Sequence, residues 1–258
     1  MIKKLAKYIK EYKRDVILTP IFVTLEVVME VIIPLLMANI IDVGIQNGDV
    51  NYILKIGILL IISAIMSLTF GMLSGRFAAK ASAGYSKNLR KEMFYKIQDY
   101  AFENIDKFST SSLVTRMTTD VTNVQMAFQM IIRILVRGPI MMIFALLMVL
   151  SISAKLSLIF FVAIPVLGVI LYLIATKAHP IFVKVFKKYD KINRVVQENL
   201  NAIRVVKAYV REDTEEEKFQ DVNNEVYTNF KKAEKIVAFN SPVMQFTIYT
   251  CILFISWI

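Results

Sequence analysis

The sequence is poor in the residues that build metal centres, disulfides and nucleophilic catalytic sites. It contains one histidine, His179, and one cysteine, Cys251, in 258 residues. A lone histidine excludes histidine-based metal clusters and Ser-His-Asp triads, and a lone cysteine excludes an internal disulfide. We therefore expect no metal ligands and no catalytic residues in this chain, and we interpret Cys251 as a packing residue and His179 as a residue that caps a helix or packs.

Glycine is scarce as well, and the positions of the eight glycines exclude one kind of nucleotide site. They lie at 44, 48, 57, 71, 75, 84, 138 and 168. None begins the GxxxxGK[ST] pattern, whose backbone amides hold phosphates, so ATP hydrolysis cannot be assigned to these residues. The stretches 85–137 and 181–241 contain neither glycine nor proline, which favours long helices.

Apolar residues are abundant and occur in blocks. They make up 56% of the chain, and the approximate cores of the blocks are 16–41, 53–79, 131–150, 157–176 and 242–258. Each block is close to the roughly 20 residues with which a helix crosses about 30 Å of hydrocarbon. The sequence predicts an all-α membrane protein with four complete spans and the start of a fifth, in contact with the lipid bilayer.

The positive charges lie on one side of this predicted topology. The formal net charge is +10, yet only Lys55 and Lys155 flank the short loops 42–51 and 151–156. Such asymmetry is the positive-inside pattern, and it predicts a multi-pass protein of the cell membrane whose N-terminus and two long loops are cytoplasmic. Because orientation accounts for the charge, we expect no nucleic-acid partner.

The N-terminal residues predict a separate short element. In 2–14 the apolar residues Ile2, Leu5, Ile9 and Tyr12 share one helix face, and most of the lysines lie elsewhere. This pattern is typical of an amphipathic helix in the membrane interface. We therefore expect residues 1–14 to form an elbow helix and residues 15–258 to form the membrane domain.

Helical periodicity continues beyond the second and fourth blocks. Leu89, Met93, Ile97 and Ala101 extend the pattern of the second span, and 102–112 offers a reversal, with Asp106 or Ser109 as a helix cap. The stretch 181–241 predicts a second hairpin with its turn within 197–212. On the second span a stripe of small residues repeats every four positions and indicates close helix packing: Ser63, Ser67, Gly71, Gly75, Ala79 and Ala83.

Two carboxylates interrupt the first apolar block. Glu26 and Glu30 are four residues apart and therefore share a helix face. Carboxylates at membrane depth cost a few kcal/mol and face a cavity or a partner. Two interpretations stay open: the pair lines a substrate pathway that favours cationic or amphipathic molecules, or it is protonated or satisfied by polar groups on neighbouring helices.

Several segments resemble one family. The stretch from Phe102 to Val121, FENIDKFSTSSLVTRMTTDV, resembles the first intracellular loop of bacterial ABC exporters, and Glu198 to Glu212, ENLNAIRVVKAYVRE, with Lys218-Phe219, resembles the second. The segment 34–42 and the Leu89-Arg90 pair also resemble that family's transmembrane domain. The resemblance covers nearly the whole chain in the right order.

This resemblance implies an architecture. The chain would be an ABC-exporter transmembrane helical bundle, a six-span unit truncated in its fifth span, with ATP and Mg²⁺ bound by a nucleotide-binding domain that is not part of these residues. Coupling helices at the loop tips would contact such domains, at Thr110, Ser111, Ser112, Leu113, Val114 and Thr115 and at Asn201, Ala202, Ile203, Arg204 and Val205.

The resemblance also implies partners and an activity. A second half-transporter, identical or different, would complete a dimer, and the Ser-Leu-Val-Thr-Arg sequence at 112–116 is similar to the heterodimeric multidrug subgroup. The assembled protein would hydrolyse ATP to export hydrophobic or cationic small molecules, or lipids. Because the sequence stops inside an apolar run, we expect it to belong to a longer polypeptide.

Two other classes of protein fit the residues without the resemblance. A polytopic carrier or channel without an ATPase would use the two cytoplasmic hairpins for regulation. A membrane scaffold or sensor would use them to recruit partners. The sequence beyond Ile258 distinguishes these alternatives, because an exporter predicts a sixth span followed by a phosphate-binding loop.

Overall fold

The computed structural model describes residues 7–100 and 110–257, and within these ranges the chain is helical and contains no strand. It divides into two compact units, 1–151 and 152–258. The first unit contains α1 (Lys13–Asn39), α2 (Val50–Gln98) and α3 (Thr110–Ile152), the last ending at the boundary; the second contains α4 (Ala154–Ala208), α5 (Glu212–Ala238) and α6 (Asn240–Trp257).

Five helical runs are long and apolar enough to cross a membrane. Each predicted apolar block lies inside one of them, apart from Ile258, which is outside the described residues. The all-α membrane fold is therefore confirmed. Two of the runs contain π-helical segments, Ile40–Ile45 after α1 and Arg116–Asp120 and Ile131–Leu135 within α3.

In the first unit, α1 packs along α2 through aromatic and small side chains. Phe22 stacks on Phe77 with ring centroids 5.4 Å apart, and Val23 and Val27 are fully buried. Helix α2 presents small buried residues that allow neighbouring helices to approach closely: Ser63, Ser74, Ala78, Ala81 and Ser82. Of these, Ala78 and Ala81 pack with Ile132 of α3.

The predicted small-residue stripe is correct at its centre and wrong at its end. Gly71 and Gly75 lie at close contacts with side chains of α1 and α3, but Ala79 and Ala83 are exposed. A spacing of four residues drifts by about 40° at each step around a helix that has 3.6 residues per turn. The packed face therefore continues through Ala78 and Ala81 instead.

The predicted extension of the second span is confirmed as far as the structure describes it. Helix α2 runs unbroken for 49 residues to Gln98, and α3 returns beside it. Tyr85 and Leu89 are buried against Val121, and Tyr85 stacks on Phe128 at 4.5 Å. The predicted caps Asp106 and Ser109, and most of the reversal, lie outside the described residues.

The N-terminal segment is not the regular amphipathic helix that the spacing predicts. Lys7–Tyr12 is a 3₁₀ segment broken at Lys10, whose φ is 41°, and residues 1–6 lie outside the described range. Asn88 donates its side-chain N–H to the carbonyl of Tyr8 at 3.1 Å. Polar contacts to the extension of α2 override the local periodicity here, and a place in the lipid interface stays a prediction.

The second unit contains the predicted helical hairpin. Buried valines from both arms form its seam, at 185, 195, 222 and 226, and Phe182 meets Phe230 edge to face. The turn comes at 209–211, at the end of the stretch in which we expected it. Val210 has a φ of 52° there, a left-handed conformation that β-branched residues rarely adopt.

Candidate functional site

The two membrane carboxylates share one cationic partner in the first unit. The guanidinium of Arg137 on α3 donates to Glu26 at 3.0 Å and to Glu30 at 2.5 Å. Glu26 is 8% exposed, whereas Glu30 and Arg137 are each about one-third exposed at their side chains. The cluster thus extends from a buried carboxylate to a partly open surface.

Helix α2 completes the environment of Glu26. The hydroxyl of Ser74 donates to its second oxygen at 3.5 Å. A Cβ added at Gly71 would lie only 3.1 Å from the carboxylate, tighter than most contacts of that kind, so glycine is what gives Glu26 its room. Helices α2 and α3 therefore each supply a hydrogen-bond donor to this carboxylate of α1.

These contacts supply the polar partners that one of our two interpretations required. Arg137 carries a permanent charge, so it offsets the cost of ionised carboxylates at this depth. Sequence reasoning missed it, although the cations inside an apolar block, here Arg133 and Arg137, are the counter-charges to seek once buried carboxylates are noticed. A role for Glu26 and Glu30 in a substrate pathway stays a prediction.

The residues predicted to couple the first loop begin α3. Thr110–Thr115 forms a short α-helical stretch and joins a π-helical segment, Arg116–Asp120, without a break. Ser112 and Leu113 are half-buried and the other four residues are exposed. These six side chains therefore lie at the end of a long helix with a mostly polar, accessible surface.

Arg90 fastens this end of α3 to α2. Its Nε donates to the carbonyl of Met117 at 3.3 Å, and Nη2 donates to the hydroxyl of Thr122 at 3.2 Å. A π-helical segment alters the regular backbone hydrogen bonding, and the guanidinium of Arg90 donates a hydrogen bond to one carbonyl of that segment, the carbonyl of Met117. The family resemblance included Arg90, but only the tertiary structure brings it to this contact.

The residues predicted to couple the second loop lie in the last turns of α4. Asn201 to Val205 are exposed and belong to a continuous 55-residue helix. The resemblance implied a separate short helix, and the structure differs because no glycine or proline lies between Pro180 and the turn at 209–211. The five side chains share the hairpin tip with that turn.

Ion pairs hold the two arms of this hairpin together. Lys218 lies 3.3 Å from Glu198, and Lys207 lies 3.1 Å from Glu212. Lys188 also pairs with Glu225, and its hydrogen bond lowers the pKa of that exposed carboxyl. Between the arms near the tip is a groove of about 530 Å³, so the tip is joined by charge rather than by close packing.

Comparison with known sequences identifies the family. Residues 16–258 match the model of the ABC transporter transmembrane region. The chain belongs to this family. The five long apolar helices of this ABC transmembrane region are thus those of a multi-pass membrane transport protein.

Relatives of this ABC transmembrane region occur in several bacteria. It is 33% identical to the uncharacterized ABC transporter ATP-binding protein YfiB of Bacillus subtilis, over 99% of this chain and 45% of that protein. It is 27% identical to the uncharacterized ABC transporter ATP-binding protein MT1311 of Mycobacterium tuberculosis, over 100% and 44%. The ATP-dependent lipid A-core flippase of Pseudoalteromonas translucida is 24% identical, over 99% and 44%. The chain spans less than half the length of these relatives.

Proposed function

We propose that the chain is the transmembrane domain of an ATP-driven exporter, which forms the substrate pathway and transmits movement to it along its helices. The observation that carries the proposal is the continuity of α2 and α4, helices of 49 and 55 residues. At 1.5 Å per residue such helices are about 75 to 80 Å long, far longer than a bilayer requires. They extend the spans into rigid levers.

The levers would end on nucleotide-binding domains. Positions 110–115 and 201–205 are the proposed coupling segments, and a second half-transporter completes the dimer. ATP and Mg²⁺ would bind the nucleotide-binding domains rather than these residues, because the described glycines lie in helices or in the turn at 46–48 and build no phosphate-binding loop. Closure of those domains would tilt the helices and favour one of two bundle packings.

The orientation follows from the charges. The N-terminus and both hairpins would lie in the cytoplasm and the protein in the cell membrane, because lysines and arginines concentrate on that side. The many ion pairs along α4 and α5 support an aqueous setting for this hairpin. The cytoplasm is also the side of the membrane on which ATP is available.

The substrate would be amphipathic. Glu26 and Glu30 would line the pathway, and a cationic group would bind there by replacing the guanidinium of Arg137, which contacts both carboxylates. Hydrophobic or cationic small molecules, as in multidrug export, fit this chemistry. The relative named a lipid A-core flippase supports lipids as a second substrate class.

Coupling is tested at the second tip. The natural protein, reconstituted in vesicles, is assayed for ATP hydrolysis and for export of a fluorescent amphipathic cation. Val205→Ser at the tip should lower the cations exported per ATP several-fold, because it alters the surface that transmits force. Val196→Ser is the matched control, an exposed valine of the same helix two to three turns earlier. Equal effects of the two substitutions, or export without ATP, would contradict the proposal.

The pathway role of the carboxylates has a separate test. Replacement of both Glu26 and Glu30 by glutamine should weaken export of cations several-fold and spare neutral substrates, since only the former need the negative charge. Glu92→Gln, a carboxylate outside the apolar block, serves as control. Unchanged export of both substrate types by the double variant would refute the pathway role and leave the coupling proposal intact.

A further inference from the structure

A small groove lies on the face of α3 where its apolar block begins. Its volume is about 350 Å³, and its lining consists of two parallel rows that each repeat every four residues. The polar row is Gln129, Arg133 and Arg137, and the apolar row is Met126, Met130 and Ile134. All six residues belong to the first unit. The groove therefore pairs side-chain N–H donors with a hydrophobic track.

The donors of the polar row are not equally engaged. Arg137 is bound by Glu26 and Glu30. Arg133 instead lies beside Gly75, where an added Cβ would be 3.7 Å from its guanidinium, and no residue described in 7–100 or 110–151 accepts a hydrogen bond from its side chain. Gln129 accepts from the hydroxyl of Ser82 at 3.2 Å through its oxygen, and no described residue of the first unit accepts from its amide N–H groups.

The unengaged guanidinium calls for an anion. Arginine stays charged at any physiological pH, and a charge at the edge of the hydrocarbon is costly without a partner. Arg137 meets that need with two carboxylates of α1, whereas Arg133 meets no carboxylate in the described part of its unit. A phosphate oxygen would accept from Arg133 and from the Gln129 amide together.

The apolar row supplies the other half of the recognition. Met126, Met130 and Ile134 are each more than half exposed. Flexible methionine side chains adapt to an irregular hydrocarbon surface. A water-soluble anion would leave this apolar row exposed, whereas an acyl chain would cover it.

We propose that this groove binds an anionic phospholipid of the bilayer, with the headgroup phosphate between Gln129 and Arg133 and one acyl chain along Met126, Met130 and Ile134. The lipid neutralises the guanidinium and covers the apolar row. This inference concerns lipid binding alone and stands independently of the transport activity proposed above.

The charge is tested by lipid retention. The purified natural protein is titrated in detergent with phosphatidylglycerol, and bound lipid is counted by native mass spectrometry. Arg133→Gln should weaken the tightest binding at least ten-fold, and Gln129→Leu should weaken it several-fold. Arg76→Gln is the matched control: Arg76 is exposed on α2 and follows Gly75, the residue beside Arg133, but does not line the groove. Equal losses for Arg76→Gln and Arg133→Gln would reveal ordinary interfacial attraction and overturn the proposal.

The groove is tested with every charge kept in place. Met130→Trp fills the apolar row and should also weaken retention at least ten-fold, whereas Met72→Trp, at an exposed methionine of α2, should not. Full retention by Met130→Trp overturns the proposal. So does displacement of the lipid by millimolar inorganic phosphate, because the site would then recognise a free anion. Thermal unfolding verifies each variant, and if Arg133→Gln fails to fold, Met130→Trp and Gln129→Leu decide.

Discussion

The guanidinium of Arg137 lies 3.0 Å from the carboxylate of Glu26, although 111 residues separate them in the chain. Glu26 is almost completely buried. Its ion pair with Arg137 joins α1 to α3 within the first unit. Two helices that each carry an unfavourable charge for a membrane are therefore held together by the fact that the charges are opposite.

Removing the cation should cost more than removing the pair. Arg137→Gln leaves Glu26 without its counter-charge and should lower the free energy of unfolding by about 2 to 3 kcal/mol, less than the roughly 3 to 5 of a fully buried pair because Arg137 is partly exposed. The double variant Glu26→Gln with Arg137→Gln should recover part of this loss. The free energies of unfolding of the natural protein, both single variants and the double variant, measured by denaturation in detergent, form a double-mutant cycle that gives the interaction energy of the two side chains. Simple additivity would show that the two side chains do not interact.

Gly84 should not tolerate a methyl group. An added Cβ would lie 2.3 Å from the ring of Tyr12, so Gly84→Ala should displace the N-terminal segment and lower the free energy of unfolding by about 1 to 3 kcal/mol. Gly57→Ala is the control, since nothing lies within 4 Å of its Cβ position. It should stabilise α2 by about 0.5 to 1 kcal/mol. A stabilising Gly84→Ala would show that Tyr12 is not held there.

The tip of the second hairpin should be improved by a glycine. Val210 adopts a φ of 52°, a conformation that costs an L-residue about 1 to 2 kcal/mol and glycine much less. Val210→Gly should therefore stabilise the hairpin, with slower hydrogen exchange of the last amides of α4. Val205→Gly, inside the helix, should instead speed that exchange. Identical effects at both positions would argue against the left-handed turn.

Arg90 should control local opening at the start of α3. Arg90→Gln removes charge-assisted donors to Met117 and Thr122, each worth about 1.5 to 3 kcal/mol, and should speed amide exchange in 116–122 at least ten-fold. Lys96→Gln, an exposed cation of the same helix, is the comparison. If exchange in 116–122 rises equally in both variants, loss of positive charge rather than the Arg90 contacts is responsible.

The attachment of the N-terminal segment should weaken in acid. Lys10 donates to Glu92 at 2.5 Å, and this hydrogen bond lowers the pKa of the Glu92 carboxyl below its ordinary value of 4.5. A group with a lowered folded-state pKa stabilises above its unfolded pKa and loses that contribution as the pH falls through the folded value. The protection of the amides in 7–12, corrected for their intrinsic exchange rates, should therefore fall as the pH drops below 4.5, and Glu92→Gln should reduce this dependence. The remainder belongs to Glu11, which accepts from the side chain of Asn88 at 3.3 Å and also has a lowered pKa. A pH profile unchanged by Glu92→Gln would exclude the pair.

Patterns that depend on neighbours along the chain were predictable. Helix α4 illustrates this, because its apolar block and its glycine-free continuation fixed both the span and the hairpin arm, and the turn fell within the predicted stretch. The strict four-residue stripe on α2 failed at Ala79 and Ala83, because a helix has 3.6 residues per turn and a spacing of four moves away from the packed face.

The candidate site was only half predictable. The sequence by itself determined that the chain crosses a membrane, where its membrane-crossing helices run and that Glu26 and Glu30 share a face, since hydrophobic length and helical period act locally. Only the tertiary structure decided that Arg137 lies between those carboxylates, that Arg133 does not, and that Tyr12 rests on Gly84. Such contacts join residues tens of positions apart, and their existence depends on how helices pack and rotate against one another.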